Sequence, residues 1–427
     1  MSEDKTQRSR SKNDDMAAKL GKPLSSAQQI RAWAGPAVLS YGYRPFFLFA
    51  AILAALQMIA WIFIWAAGFT LPTALDPISW HAHSFLFDYF WAILGGFLLT
   101  AVPNWTGRLP IAGYRLAGLV ALWFLGRVAV NCSALIPIPL AIVLEMLFPC
   151  ALIFALGREI IIGKNYRNLK VLVIISLMIP ANLIFDYQAY YQGYGADGAG
   201  ARLACALAVM LIILIGGRII PSFTRNWLVK RGSSRLPAPF GAYDKFVMIL
   251  SAPALLAWVI FPNADYYNTA GAHGAAILLL LAGMANFVRW LRWKWWLTLA
   301  EPLVWALHLG YIFVPLGFIA VGAAEFGWLP AGIAPAQHLW LAGGMGLMTI
   351  AVMTRASLGH SGRALTVGAA VTSLYVAIFA SAWLRLAAGL LYNNLSLLSI
   401  SAALWIYAFA GFAVLYWRIL TAPRLPR

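Results

Sequence analysis

Six histidines, His81, His83, His273, His308, His338 and His360, are the side chains of this sequence best suited to metal chemistry. Five fall within or beside long apolar runs, where an ionisable group is costly and by default marks a functional site with a partner to be found. Neutral imidazole is a good ligand for iron and copper. Several imidazoles at one depth, supplied by different helices, would suit a membrane metal centre. At a rise of ~1.5 Å per residue, His273 and His338 lie about 8–9 Å inward from the outer edges of their runs. His81 and His83 fall at the outer entrance of theirs, and His308 lies nearer the midplane. In His81-Ala82-His83 the two rings point about 200° apart on an ideal helix. They would not chelate one ion unless the helix starts between them. They could serve two centres, or one could ligate while the other hydrogen-bonds. For any single histidine the competing reading is a structural hydrogen bond to a neighbouring helix, and His360, in LGHSGR, reads most simply as a solvated loop residue.

The acids offer partners. Asp88 follows His81 by seven residues, hence nearly the same helix face, and could orient an imidazole or carry a proton. Glu301 opens a run on the face of His308, although a helix-start carboxylate explains it equally well. Tyr311 completes the candidates for these supporting roles. Glu145 and Asp186 lie in the fourth and fifth runs and could pair with Arg127 or another cation. Met345, Met348 and Met353 read as packing. Cys132, Cys150 and Cys205 sit in apolar surroundings without a CxxC pair, which argues against a disulfide framework or a thiolate cage.

The scaffold that must position these groups follows from composition. Of 427 residues, 62% are hydrophobic and 11% charged, less than half the ~25% charge of an ordinary soluble domain. Soluble, fibrous and disordered classes are excluded. Apolar runs recur at 46–67, 84–103, 113–131, 134–157, 168–187, 199–217, 242–261, 267–287, 301–320, 333–353, 364–388 and 395–417. Each approaches the ~20 residues a crossing helix needs, and helices satisfy their own backbone in hydrocarbon. The expected fold is an all-α polytopic bundle of about 12 transmembrane helices with both termini cytoplasmic. Residues 1–44 form a polar, basic tail expected to be disordered. Residues 45–420 form a single transmembrane domain, with a longer basic loop near 218–241 dividing six spans from six. The net charge of +17 suggests nucleic acid only until position is considered. With the N-terminus inside, all but three of the 31 basic residues fall on the inner face, the exceptions being Arg127, Arg202 and Arg385. The positive-inside rule accounts for that distribution, so no nucleic-acid partner is expected.

The segments YGYRPFFLFA (41–50), WHAHSFLFDYFWAILGGFLLTAVPNWTGR (80–108), GGRIIPSFTRN (216–226), EPLVWALHLGYIFVPLG (301–317) and QHLWLAGGMGLMTIAVMTRASLGHSGR (337–363) resemble the NnrS family. The resemblance implies a bacterial inner-membrane protein of about twelve helices that contains haem and copper. It also implies a role in the response to nitric oxide and protection from nitrosative stress. By motif position, the family histidines correspond to His81 and His83 in WHAH, His308 in LHLGY, His338, and His360 in GHSGR. His273 matches no such motif and stands on depth alone.

The leading expectation is a haem- and copper-binding membrane protein that binds or processes nitric oxide or iron-nitrosyl species, with an unknown electron donor as a further partner. His83 and His338 are the first choice as haem ligands, then His81 and His273. His81, His83, His308 and His338 are the metal candidates, His308 for copper or a second site. An alternative is a nitric oxide reductase-like haem–copper enzyme, against which stands the lack of an adjacent His-His pair or a late His-x-His. A secondary transporter, with Asp88, Glu145 and Asp186 as coupling groups, is the third reading.

Overall fold

The computed structural model describes residues 33–262, 269–392 and 394–425. Among these residues there are twelve long helices and no β-strand. In chain order they are α1 (Tyr43–Ala67), α2 (Pro77–Thr106), α3 (Tyr114–Asn131), α4 (Ile138–Ile162), α5 (Leu169–Tyr191) and α6 (Ala199–Lys230). The second half supplies α7 (Ala242–Ile260), α8 (Thr269–Leu291), α9 (Pro302–Glu325), α10 (Ile333–Ser361), α11 (Ala369–Leu390) and α12 (Leu395–Thr421). Eleven are long and apolar enough to cross a membrane. The other, α3, has 18 residues but includes Arg115, Arg127 and Asn131, and Arg127 is buried against carboxylates rather than facing lipid. The chain is an all-α, multi-pass membrane protein.

Three elements exceed their apolar runs by eight residues or more. Helix α2 begins at Pro77, so His81 and His83 lie within it rather than at its entrance. Helix α6 continues through Arg218, Arg225 and Lys230, which shortens the expected loop near 218–241 to residues 231–241. Helix α10 runs to Ser361, so His360 belongs to its last turn and not to a solvated loop. Part of the expected tail is also structured. Residues 33–42 include a short 3₁₀ turn (Ala37–Leu39), Tyr41 is buried, and α1 starts at Tyr43; residues 1–32 lie outside the described residues.

Burial separates an interior from a perimeter. In α2, α6, α9 and α10, 72–89% of the most apolar stretch is enclosed by protein, against 50% or less in the seven others of this class. The perimeter helices expose Phe63, Trp65, Phe154, Ile249 and Val414 outward, as a lipid-facing surface requires. The sequence order closes the ring: α1 packs on α12, α4 on α5 and α8 on α9. Three of the four interior helices, α2, α6 and α10, are spaced four helices apart in the chain, and α6 touches both others. At the end of the bundle that holds both described termini, the inner end by the positive-inside expectation, Arg44 donates to the carbonyls of Leu420 (3.0 Å) and Ala422 (2.6 Å), and the Leu425 amide donates to Ser361 O (3.1 Å). Both ends of the described chain are thereby tied to one face.

Candidate functional site

Helix α2 carries the central histidines, and its start is locally determined. Asp76 accepts hydrogen bonds from the amides of Ile78 (3.0 Å) and Ser79 (3.1 Å), and Pro77 occupies the first turn, the usual chemistry of a helix N-terminus. Directly after His83 the helix widens into a π-helical segment, Ser84–Tyr89. Such segments pair residues five apart and recur at functional sites. On an ideal α-helix His83 and Asp88 would face about 140° apart. The wider turn brings Asp88 Oδ1 to 3.3 Å from His83 Nδ1. It also turns Asp88 from the face of His81, its expected partner, to that of His83. The Trp123 indole donates to the Asp88 carbonyl (3.0 Å).

Around His83 a buried polar cluster forms from five helices, α1 to α5. His83 Nε2 lies 2.9 Å from Glu145 Oε1 on α4 and 3.7 Å from Asp186 Oδ1 on α5. Arg127 of α3 places Nε 2.6 Å from Asp88 Oδ1 and Nη2 3.4 Å from Glu145 Oε1. Gln57 of α1 donates to Asp88 Oδ2 (3.0 Å), and Asn182 donates to Asp186 Oδ2 (3.2 Å). The pairing of Glu145 with Arg127 is therefore real, and Asp186 joins the same group. Gln57 and Asn182 escaped sequence reasoning; the available signal was an uncharged amide within an apolar run.

His81 points elsewhere. Its ring stacks on Trp61 (4.4 Å between centroids, 28°) and runs nearly parallel to His338 of α10 at 6.4 Å and 14°. His338 Nδ1 donates to the Ala334 carbonyl (2.7 Å), so its proton sits on Nδ1 and Nε2 keeps its lone pair. Here too the histidine directly precedes a π-helical segment, Leu339–Gly346. Arg385 of α11 lies within electrostatic reach of both rings, and its Nη1 is buried without a hydrogen-bond partner. Of the two readings open for His81-Ala82-His83, the rings thus face two different groups.

The remaining histidines are not drawn into either group. His308 shares a hydrogen bond with Thr224 Oγ1 of α6 (2.8 Å), near the inner end of α9. His273 is exposed and stacks on Phe326 (5.1 Å, 17°). His360 packs between Tyr41 and Tyr43, at 5.6 and 5.7 Å. Tyr41 precedes the first span; burial pushes its phenol up to about 12, and as a neutral donor it bonds the Thr100 carbonyl (3.2 Å). Glu301 acts as the N-cap of α9, accepting from the Leu303 amide (3.2 Å).

Tyr311 belongs to a second polar centre near the inner face. It accepts from Arg289 Nη1 (3.1 Å) and donates to Asn286 Oδ1 (2.7 Å). Arg289 donates through Nε to Asp244 Oδ1 (2.8 Å) and through Nη1 to Ile213 O (3.0 Å), a carbonyl in the π-helical segment Ile212–Gly216 of α6. Gly217 leaves room for the guanidinium, which a Cβ there would overlap.

Comparison with known families gives one match: the model described as NnrS protein covers residues 37–424. No curated protein matches the chain.

Proposed function

We propose, from the premise that this chain belongs to the NnrS family, that it is a haem- and copper-binding protein of the bacterial inner membrane. Its role in this reading is the response to nitric oxide and protection from nitrosative stress. The observation that carries the proposal is the pair His81–His338. Two imidazoles that shared one ion, at metal–nitrogen distances of about 2.0–2.1 Å, would stand up to roughly 6 Å apart centre to centre. The observed 6.4 Å and near-parallel planes suit that arrangement.

The surroundings fit haem as well as bare metal. The Nδ1–H of His338 is anchored to Ala334 O, the outer contact that fixes tautomer and ring orientation in metal-binding histidines. Trp61 covers one face of His81 and restrains its rotation. Arg385, with its unpaired N–H beside both rings, is a cation suited to a haem propionate. His81 and His338 would hold the group, Trp61 would shield it, and Arg385 would balance its charge. When bound, haem iron or copper supplies the ion with which nitric oxide or an iron-nitrosyl species interacts. His83, an initial candidate for haem, is engaged by carboxylates instead. His308, whose Nε2 is taken by Thr224, keeps only a buried Nδ1 without a partner for copper.

The test is an optical spectrum of the purified, reduced protein with and without nitric oxide. A haem spectrum that shifts on adding nitric oxide is expected, and a protein free of haem and copper that instead drives uptake in proteoliposomes would replace this reading with a transporter. Anaerobic turnover with an electron donor separates stoichiometric binding from the reductase alternative.

A further inference from the structure

We propose that His83, Glu145 and Asp186 form a binding site for one divalent transition-metal cation, distinct from the His81–His338 pair. Three helices converge to supply it: α2 the imidazole, α4 and α5 the carboxylates. One ligand atom from each residue lies within 4.8 Å of the other two. The separations of His83 Nε2 from Glu145 Oε1 and Asp186 Oδ1 are 2.9 and 3.7 Å. Ligands at about 2.0–2.2 Å from a common ion stand roughly 3–3.6 Å apart in octahedral or tetrahedral geometry, so a small closure would suffice.

Charge points the same way. The cluster holds three carboxylates, Asp88, Glu145 and Asp186, and among the described residues one guanidinium, Arg127, which pairs with Asp88 and Glu145; all four side chains are at most 5% exposed. Ionised, they leave two uncompensated negative charges in a low-dielectric interior, which is strongly unfavourable. One divalent cation with neutral His83 cancels that excess. By contrast, the Arg289–Asp244 pair is balanced without any ion.

The contacts around the three residues leave the ligand atoms open. Asp88 faces His83 Nδ1 and so directs Nε2 at the carboxylates, the carboxylate–histidine arrangement found behind many metal ligands. Asn182 donates to Asp186 Oδ2 and leaves Oδ1 without a hydrogen-bond partner; Glu145 Oε2 is likewise buried and unpartnered. Arg127 and Gln57 hold Asp88 in place. One imidazole with two carboxylates suits Fe(II), Mn(II) or Zn(II), whereas Cu(I) favours sulfur ligands and Mg(II) or Ca(II) favour oxygen alone.

The test uses full-length protein purified in detergent, with elemental analysis of wild type, Glu145→Gln, Asp186→Asn and the double variant. Each is then stripped with a chelator and titrated with Co(II), followed by the visible bands of protein-bound cobalt. The expected result is about one equivalent of Co(II) in wild type and a loss of at least tenfold in affinity in each variant. Monodisperse elution establishes that the variants are folded. If Glu145→Gln is not, Asp186→Asn and the thermal shift that Co(II) gives wild type carry the test. His81→Ala/His338→Ala is expected to keep the cobalt site, so failure of this proposal and failure of the haem reading are separately visible. A stripped wild type that takes up no cobalt, or folded variants that bind it as well as wild type, overturns the proposal; a cluster neutralised by protons alone gives that outcome.

Discussion

The two buried polar centres of this bundle are built from similar parts and differ in balance. Near the inner face Arg289 meets one carboxylate, Asp244, whose other oxygen accepts from the Gly241 amide (2.9 Å). Tyr311, Asn286 and Ser251 extend the network by hydrogen bonds of 2.7–2.9 Å. In the outer half, three carboxylates share one guanidinium, Arg127, which pairs with Asp88 and Glu145, and unpartnered atoms remain on His83, Glu145 and Asp186. The first arrangement is balanced in charge, with only Arg289 Nη2 left without a hydrogen-bond partner among its described polar side-chain atoms, and joins α6, α7, α8 and α9. The second is complete only with added positive charge. Charge balance, rather than the presence of ionisable residues, distinguishes the two centres.

The largest effect expected from breaking that comparison is at the inner centre. Asp244→Asn leaves the Arg289 guanidinium buried without its counter-charge, and should cost about 3–5 kcal/mol, read as a large fall in thermal midpoint in detergent. A midpoint close to wild type would show that the pair is not the structural tie described. At the outer centre the same chemical change should act oppositely. In chelator-treated protein Asp186→Asn relieves excess negative charge and should leave stability unchanged or raise it by up to about 1 kcal/mol. A destabilisation equal to that of Asp244→Asn would erase the distinction between the centres. A modest effect is expected of Thr224→Val, which removes the partner of His308 Nε2. It should cost about 1 kcal/mol and leave the haem bands unmoved; a displaced band would bring His308 into the haem environment.

Most of the fold was legible because an apolar run of crossing length leaves few alternatives to a helix. Helix ends were less so, for a physical reason. Polar residues stop the apolar signal before the helix ends: at Trp80–His83 in α2 and beyond Met353 in α10 most of them face protein, and at Arg218–Lys230 in α6 several, Arg225 and Lys230 among them, are exposed. The divergence of His81 and His83 could be read from helical spacing alone. Their partners could not, since His338, Glu145 and Asp186 come from distant segments whose approach depends on helix packing. The π-helical turn after His83 carries no periodic signal, and it redirects Asp88 from the face of His81 to that of His83. Depth placed His273 with the others, but its ring turns outward onto Phe326.

The pairing of His81 with His338 is the centre of this account, and haem content tests it most directly. Pyridine-haemochrome analysis of purified wild type, His81→Ala, His338→Ala and His273→Ala should show haem lost in the first two variants and retained in the third. Full haem retention in both His81→Ala and His338→Ala would contradict the assignment.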